Sequence, residues 1–395
     1  RNVGSARQFR GSLDVPIAVA HRIPDDVLER HRVLVRTDNA FQRRARLLQA
    51  LWREERGLPI GKHRGRDLGS RIEAAQARES LSNFLTDGIR QVVEHAVLGA
   101  GRTEDQLIDE DRLFSNLLSS QPLCFNLFGE LARDLDLATR VLRAQAPERV
   151  KRVTAISFEH SPGRSDPRFT GDRSAFDVFV TYESPAGKRG FLGIEVKYHE
   201  ALGDPAASHR PRYDELADVM GCFVVDRAAL KEPPLQQIWR DHLLAGALVS
   251  ANVGYDEGAF VFLAPEGNLA CRRAIEQYRK HLTTEATFAS WTLEDLVRPF
   301  DRSNEPAWIA DLVDRYLAFE RVDACVERER DRAACPACGH VGSLPIWNGE
   351  PTHVVERMAR RREVALGGCV LGDGRPTHRC AACGHEWGGA EPARG

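Results

Sequence analysis

The alternation of apolar and polar positions along this 395-residue chain changes period several times, and each change marks an element. Leu47, Leu48, Leu51 and Trp52 recur at helical spacing and predict an N-terminal helix. Leu81, Phe84, Leu85, Ile89, Val92 and Val93 repeat every three to four positions and predict a second amphipathic helix, stopped by Gly99 and Gly101. The apolar stretch from Asp111 to Arg143 predicts two more, divided at Pro122, because proline brings no amide to a helix interior. The period then shortens to two. VTAISFEH, AFDVFVTYES and GFLGIEVKYHE are rich in Val, Ile, Phe and Tyr and predict three strands separated by Gly/Pro/Ser/Asp stretches. After a proline-containing loop, helical spacing returns through Ile238, Trp239, Leu243 and Leu244. GAFVFLAPEGN then predicts a buried strand, and helices are expected around 269–283, 291–298 and 306–320. The order expected over about 111–265 is helix, three strands, helix, strand.

The length suits two or three domains. A formal net charge of −2 excludes a uniformly basic nucleic-acid coat and a disordered acidic chain, yet it is an average. The first 76 residues carry 16 Lys+Arg against 9 Asp+Glu, as a basic arm touching phosphates or a solvated charged face would. No stretch approaches the roughly 18 apolar residues of a membrane helix, and no leader pattern precedes residue 30, so a soluble, cytoplasmic protein with no membrane partner is expected. Only six of the 55 basic residues are lysines, so a lysine carries more information here than an arginine.

One of those six falls in the most informative segment. On the second strand Asp177, Phe179 and Thr181 share a face, with Phe176, Val178, Val180 and Tyr182 on the other. On the third strand Gly193, Glu195 and Lys197 share a face, opposite Ile194, Val196 and Tyr198. A hairpin centred near Ala186 sets Asp177 directly across from Glu195, so two carboxylates and a lysine converge. Paired carboxylates repel and make a hard-oxygen site for a divalent cation such as Mg²⁺, and the lysine beside them can position water or neutralise phosphate. A cross-strand ion pair on a solvated face is the alternative. The apolar flanks and the scarcity of lysine favour chemistry.

This order of elements, with Asp177 on the second strand and Glu195-Val196-Lys197 on the third, resembles the PD-(D/E)XK nuclease superfamily. Phe176 stands where many members have proline. The resemblance implies an α/β restriction-endonuclease-like core, to which the helical spacing before it adds an N-terminal helical region and the cysteines after it a small C-terminal zinc-binding domain. The divisions expected are 1–110 (helical), 111–300 (nuclease-like), 301–330 (helical linker) and 331–395 (zinc-ribbon-like). It further implies a nuclease hydrolysing DNA, with Asp177 and Glu195 holding Mg²⁺ or Mn²⁺ and Lys197 supporting the attacking water. Glu130, or its rival Asp134, corresponds to the acid of the first core helix. Gln236, or Gln237, corresponds to a glutamine after the third strand, with Arg240 one turn on from Gln236. Restriction or antiviral defence, protein partners in such a system and a homodimer are implied in the same way. A nuclease core without activity, serving as an adaptor or binding module, is the alternative. Glu159 and the arginines of the loop after it are either site residues or ordinary loop residues, while His199 and Glu200 line the cleft or shape a turn.

The last 61 residues hold five of nine cysteines. Cys335 and Cys338 in CPACGH, and Cys380 and Cys383 in CAACGHEW, form two knuckles in which glycine permits the turn around sulfur, giving a closed Zn²⁺ site of four thiolates. The tail resembles a zinc ribbon, although 41 residues separate the knuckles. Cys369, His340, His378 and His385 are possible substitute ligands. The arginine-rich insert suits contact with DNA, a solvated loop or a protein surface.

Overall fold

The computed structural model describes residues 23–99, 106, 108–300, 306–330, 334–368 and 375–388, so Gly101 and Cys369 lie outside the described residues. The N-terminal part opens with α1 (Asp25–Arg30) and α2 (Ala40–Glu55). Asn39 caps α2 by accepting from the Gln42 amide while the Gln42 side chain accepts from the Asn39 amide, which satisfies two of the amides a helix start leaves orphaned. The expected all-helical N-terminal region also contains a hairpin, β1 (Ile60–His63) and β2 (Arg66–Ile72). Its two-residue turn has both Arg64 and Gly65 at positive φ, as tight antiparallel hairpins require. Helices α3 (Ala74–Ser80) and α4 (Asp87–Val93) follow.

Helix α5 (Ser120–Arg133) runs through Pro122 rather than breaking there. The proline occupies the first turn, where its missing amide forfeits no intrahelical bond. The division falls at Asp134, which accepts from the Leu137 amide to start α6 (Leu135–Gln145). Strands β3 (Arg152–His160), β4 (Phe176–Glu183) and β5 (Arg189–Val196) come next and pair antiparallel, as expected. The proline-containing loop holds a helix of its own, α7 (Pro211–Met220), with proline at its start and Gly221 at φ +63° as its stop. Helix α8 (Gln236–Ser250) crosses back to β6 (Glu257–Ala264), which lies parallel to β5. After α9 (Leu269–Arg279) a strand absent from the sequence reading, β7 (Phe288–Thr292), pairs parallel to β6. The sheet order is β3-β4-β5-β6-β7.

The sheet is covered on both faces. Val178, Val180, Ile194, Val196 and Leu263 pack with α5 and α6, whereas Phe179, Phe191, Phe260 and Phe262 pack with α7, α8 and α9. The first of these cores also takes in Trp52, Phe84, Leu312 and Tyr316, so the expected divisions at 110 and 300 do not separate cores. Helices α10 (Leu293–Val297) and α11 (Ala307–Tyr316) complete that layer, and α12 (Glu320–Arg330) packs through Val322, Cys325 and Val326 on α1 and α2. The tail forms β8 (Ser343–Trp347), α13 (His353–Arg360), β9 (Ala365–Leu366), β10 (His378–Cys380) and β11 (Glu386–Trp387), in a sheet ordered β11-β10-β8-β9.

Candidate active site

Burial of Ile194, Val196 and Tyr198 in the core beneath α5 turns Glu195 and Lys197 to the other side of the sheet. Val178 pairs with Ile194, so the same register carried one residue further sets Asp177 opposite Glu195, as the sequence implied. The β3/β4 register, Phe158 with Val178 and His160 with Phe176, sets Glu159 opposite Asp177. Three carboxylates therefore stand in one row across three adjacent strands at one end of the sheet. Glu159 adopts φ +51°, a left-handed backbone that is unfavourable for a residue with a side chain and marks a constrained position. Phe176 departs from the expected alternation: its ring stacks on Phe179 and fills the space a Cβ at Gly193 would need.

Glu195 and Glu159 are only 5% and 9% exposed. Lys197 Nζ and Gln237 Nε2 each donate to Glu195 Oε1 at 2.6 Å. The Val196 amide donates to Asp177 Oδ2 at 2.8 Å, and Gln121 Nε2, from the first turn of α5, donates to Glu159 Oε1 at 3.0 Å. Burial, reinforced by the charges of Glu195 and Glu159, pushes the Asp177 carboxyl well above the usual carboxylate range. Burial also lifts Glu159 to about 7, against the pull of the Gln121 hydrogen bond. For Lys197 burial opposes the charged form, but Glu195, Glu200 and Asp177 outweigh it and hold the ammonium protonated. As arranged here, the lysine is a cation rather than a base.

These groups fit a divalent cation. The donors are hard oxygens that repel one another, and Asp241, one turn beyond Gln237 on α8, has a buried Oδ2 with no hydrogen-bond partner. Among the described residues only the four cysteines bring three or more ligand atoms of His, Cys, Asp or Glu within 4.8 Å of one another. The carboxylates form a more open set, which suits Mg²⁺, an ion that keeps waters and takes phosphate oxygens alongside one or two carboxylates.

The structure does not bring every expected residue to this row. Glu130 lies nine residues along α5 from Gln121, about 13 Å at the helical rise, where it binds Thr86 and, at 3.0 Å, Arg133. Its rival Asp134 is occupied as the α6 cap. Gln236 is engaged with the backbone of Ala207, donating to its carbonyl at 2.5 Å and accepting from its amide at 2.7 Å, so Gln237 is the glutamine that reaches Glu195. Arg240 binds Asp172 and Ser174. Glu200 accepts from the Tyr198 amide, a turn role, while its charge still acts on Lys197. Gln121 and Asp241 escaped the sequence reading. The one available signal was that Asp241 follows Gln237 by four residues, which places both on the same side of α8.

In the tail, Cys335 Sγ lies 3.7 Å from Cys383 Sγ and Cys338 Sγ lies 3.7 Å from Cys380 Sγ. That matches the edge of a tetrahedron with Zn–S legs of about 2.3 Å and is far beyond a disulfide bond. Gly339 and Gly384 have φ of +70° and +74°, and their amides donate to Cys335 and Cys380, so the knuckles are built alike. His340 and His385 contribute backbone carbonyls to these turns. The four thiols fit zinc without a substitute ligand.

No curated protein and no solved structure matches the chain. A family model described as the PD-(D/E)XK nuclease superfamily matches residues 36–318, from just before α2 through α11 and across the whole carboxylate row. With most of its length matched and the Asp177, Glu195 and Lys197 pattern set at the sheet end, the chain belongs to the PD-(D/E)XK nuclease superfamily.

Proposed function

We propose that this chain is a Mg²⁺-dependent endonuclease that hydrolyses phosphodiester bonds of DNA in a restriction or defence setting. The observation that carries the reading is the row of Glu159, Asp177 and Glu195 with Lys197 and Gln237 both on Glu195 Oε1. Asp177 and Glu195 would hold Mg²⁺ or Mn²⁺, which when bound activates water and stabilises charge on the scissile phosphate. The remaining work falls to the chain. Gln237 and Lys197 fix one oxygen of Glu195, leaving its orientation little freedom. Lys197, kept protonated, supplies positive charge where a phosphate gains negative charge. The Val196 amide fixes Asp177, and Gln121 fixes Glu159. A nuclease core without activity would not need this complete set.

The test is a cleavage panel of double-stranded DNA, single-stranded DNA and RNA with Mg²⁺, Mn²⁺ or chelator. Lys197→Ala and Asp177→Ala are expected to cut DNA at least about 100-fold more slowly, with melting curves that still show a folded core. Unchanged cleavage by both variants overturns the assignment, and cleavage confined to RNA overturns the substrate.

A further inference from the structure

The carboxylate row makes no use of the tail, and one face of the tail's small sheet has a composition of its own. His378 pairs with Trp387 on one side and with Pro345 on the other, and Trp347 pairs with Leu366. Paired residues, and residues two apart on a strand, point the same way. His385, Trp387, His378, Pro345, Trp347 and Leu366 therefore form one row across all four strands, three strand spacings or about 14 Å long. It faces outward: Trp347 is 44% and Leu366 41% exposed, and Pro345 and His385 are exposed too. The rings lie nearly parallel, His378 on Trp387 at 5.7 Å and 20°, and His385 on Trp387 at 5.8 Å and 14°.

We propose that this face is a binding site for the unpaired bases of a single-stranded nucleic acid. A stack of exposed rings is extended by any flat aromatic ring, and a nucleobase offers its faces only when it is released from a duplex. The charges around it agree. No carboxylate stands on the row, because Glu386 lies on the opposite face with Arg379. Arg375, beside Gly368 at the Trp347 end, has no ion-pair partner among the described residues and is available to a phosphate.

Binding here is separable from hydrolysis, so the test uses the full-length zinc-bound chain with Lys197→Ala, without Mg²⁺. Fluorescence anisotropy is recorded with labelled oligothymidylate, oligouridylate and a duplex of equal length. Trp347→Ala and Trp387→Ala are each expected to weaken single-strand binding about fivefold or more, with zinc content and melting curve retained. Trp387→Phe, which keeps a ring, is expected to stay within about twofold of its parent. The thymidylate and uridylate arms tell DNA from RNA. Trp347 is exposed on the surface, so its alanine variant keeps the proposal falsifiable even where loss of Trp387 unfolds the small sheet. Equal affinity of parent and Trp347→Ala, tighter binding of duplex than of single strand, or no binding of any oligonucleotide overturns the proposal.

Discussion

Gln236 and Gln237 are neighbours in sequence and turn opposite ways. Gln237, with Asp241 four residues on, faces the carboxylate row, while Gln236 locks the loop at Ala207. A hydrogen bond to a charged partner contributes about 1.5–3 kcal/mol. Gln237→Ala should therefore lower kcat/KM for DNA cleavage about tenfold or more, and Gln236→Ala should leave cleavage near its starting value while lowering Tm. Steady-state rates paired with melting curves check this, and the reverse pattern would place the wrong glutamine in the site. The choice was not legible from sequence, because it depends on the rotation of α8 against the sheet, which buried Ile238 and Trp239 fix only after packing. The Asp177–Glu195 pairing was legible because one short turn sets the register of a hairpin. Glu159 is joined to β4 through a loop of fifteen residues and a left-handed backbone, so its position opposite Asp177 left no local trace.

That same loop, residues 161–175, shows what one buried charge does for an element. Asp172 Oδ1 accepts from the Thr170 hydroxyl and the Ser174 amide, and Oδ2 from the Tyr213 hydroxyl and Arg240, which ties the loop to α7 and α8. Burial alone would raise the carboxyl, but hydrogen bonds from Tyr213, Thr170 and Ser174, with the Arg240 charge, bring it down to about 2. A depressed carboxyl contributes stability that is present above its unfolded value near 4 and lost as pH falls through about 2. The contribution is on the order of 2 kcal/mol. Asp172→Asn is expected to destabilise by about that amount at pH 7 and to flatten the acid limb between about pH 4 and 2, as read by denaturant titration across pH. An acid limb as steep as the parent's would show that the knot holds no such charge. Elements with a local period, such as α2, β4 and β5, could be read directly. Strand β7 could not, since its five residues sit between two helices and gain their strand geometry from β6.

At the scale of the whole molecule, three apolar cores hold the body of the chain, and the tail is built around a four-cysteine set that fits a metal ion. Among the described residues, the cores on the two faces of the large sheet, and the third formed by α1, α2 and α12, contain none beyond Val326. The tail meets them through charge: Arg361 pairs with Glu55 on α2, which Arg321 of α12 also binds, and Arg328 on α12 pairs with Glu363 at 2.9 Å. Its own buried set is small, chiefly Cys335, Cys380, Val355, Val364 and Ala365, so a metal ion on the four cysteines would supply most of its folding energy. Treatment with a strong chelator is therefore expected to release one Zn²⁺ per chain and unfold 334–388 while the transition of the large core persists. Two probes follow the parts separately. Trp347 and Trp387 are the partly exposed tryptophans of the tail, whereas Trp52 and Trp239 are at most 2% exposed in or beside the large sheet. Loss of tail fluorescence signal, proteolytic cuts confined beyond about residue 330 and an unchanged main melting transition are the expected set, and Cys380→Ser should reproduce it without chelator. A chain that carries no zinc, or whose large core melts together with the tail, would contradict this division, because the tail is joined to the body by ion pairs at Glu55 and Glu363 and shares none of its three apolar cores.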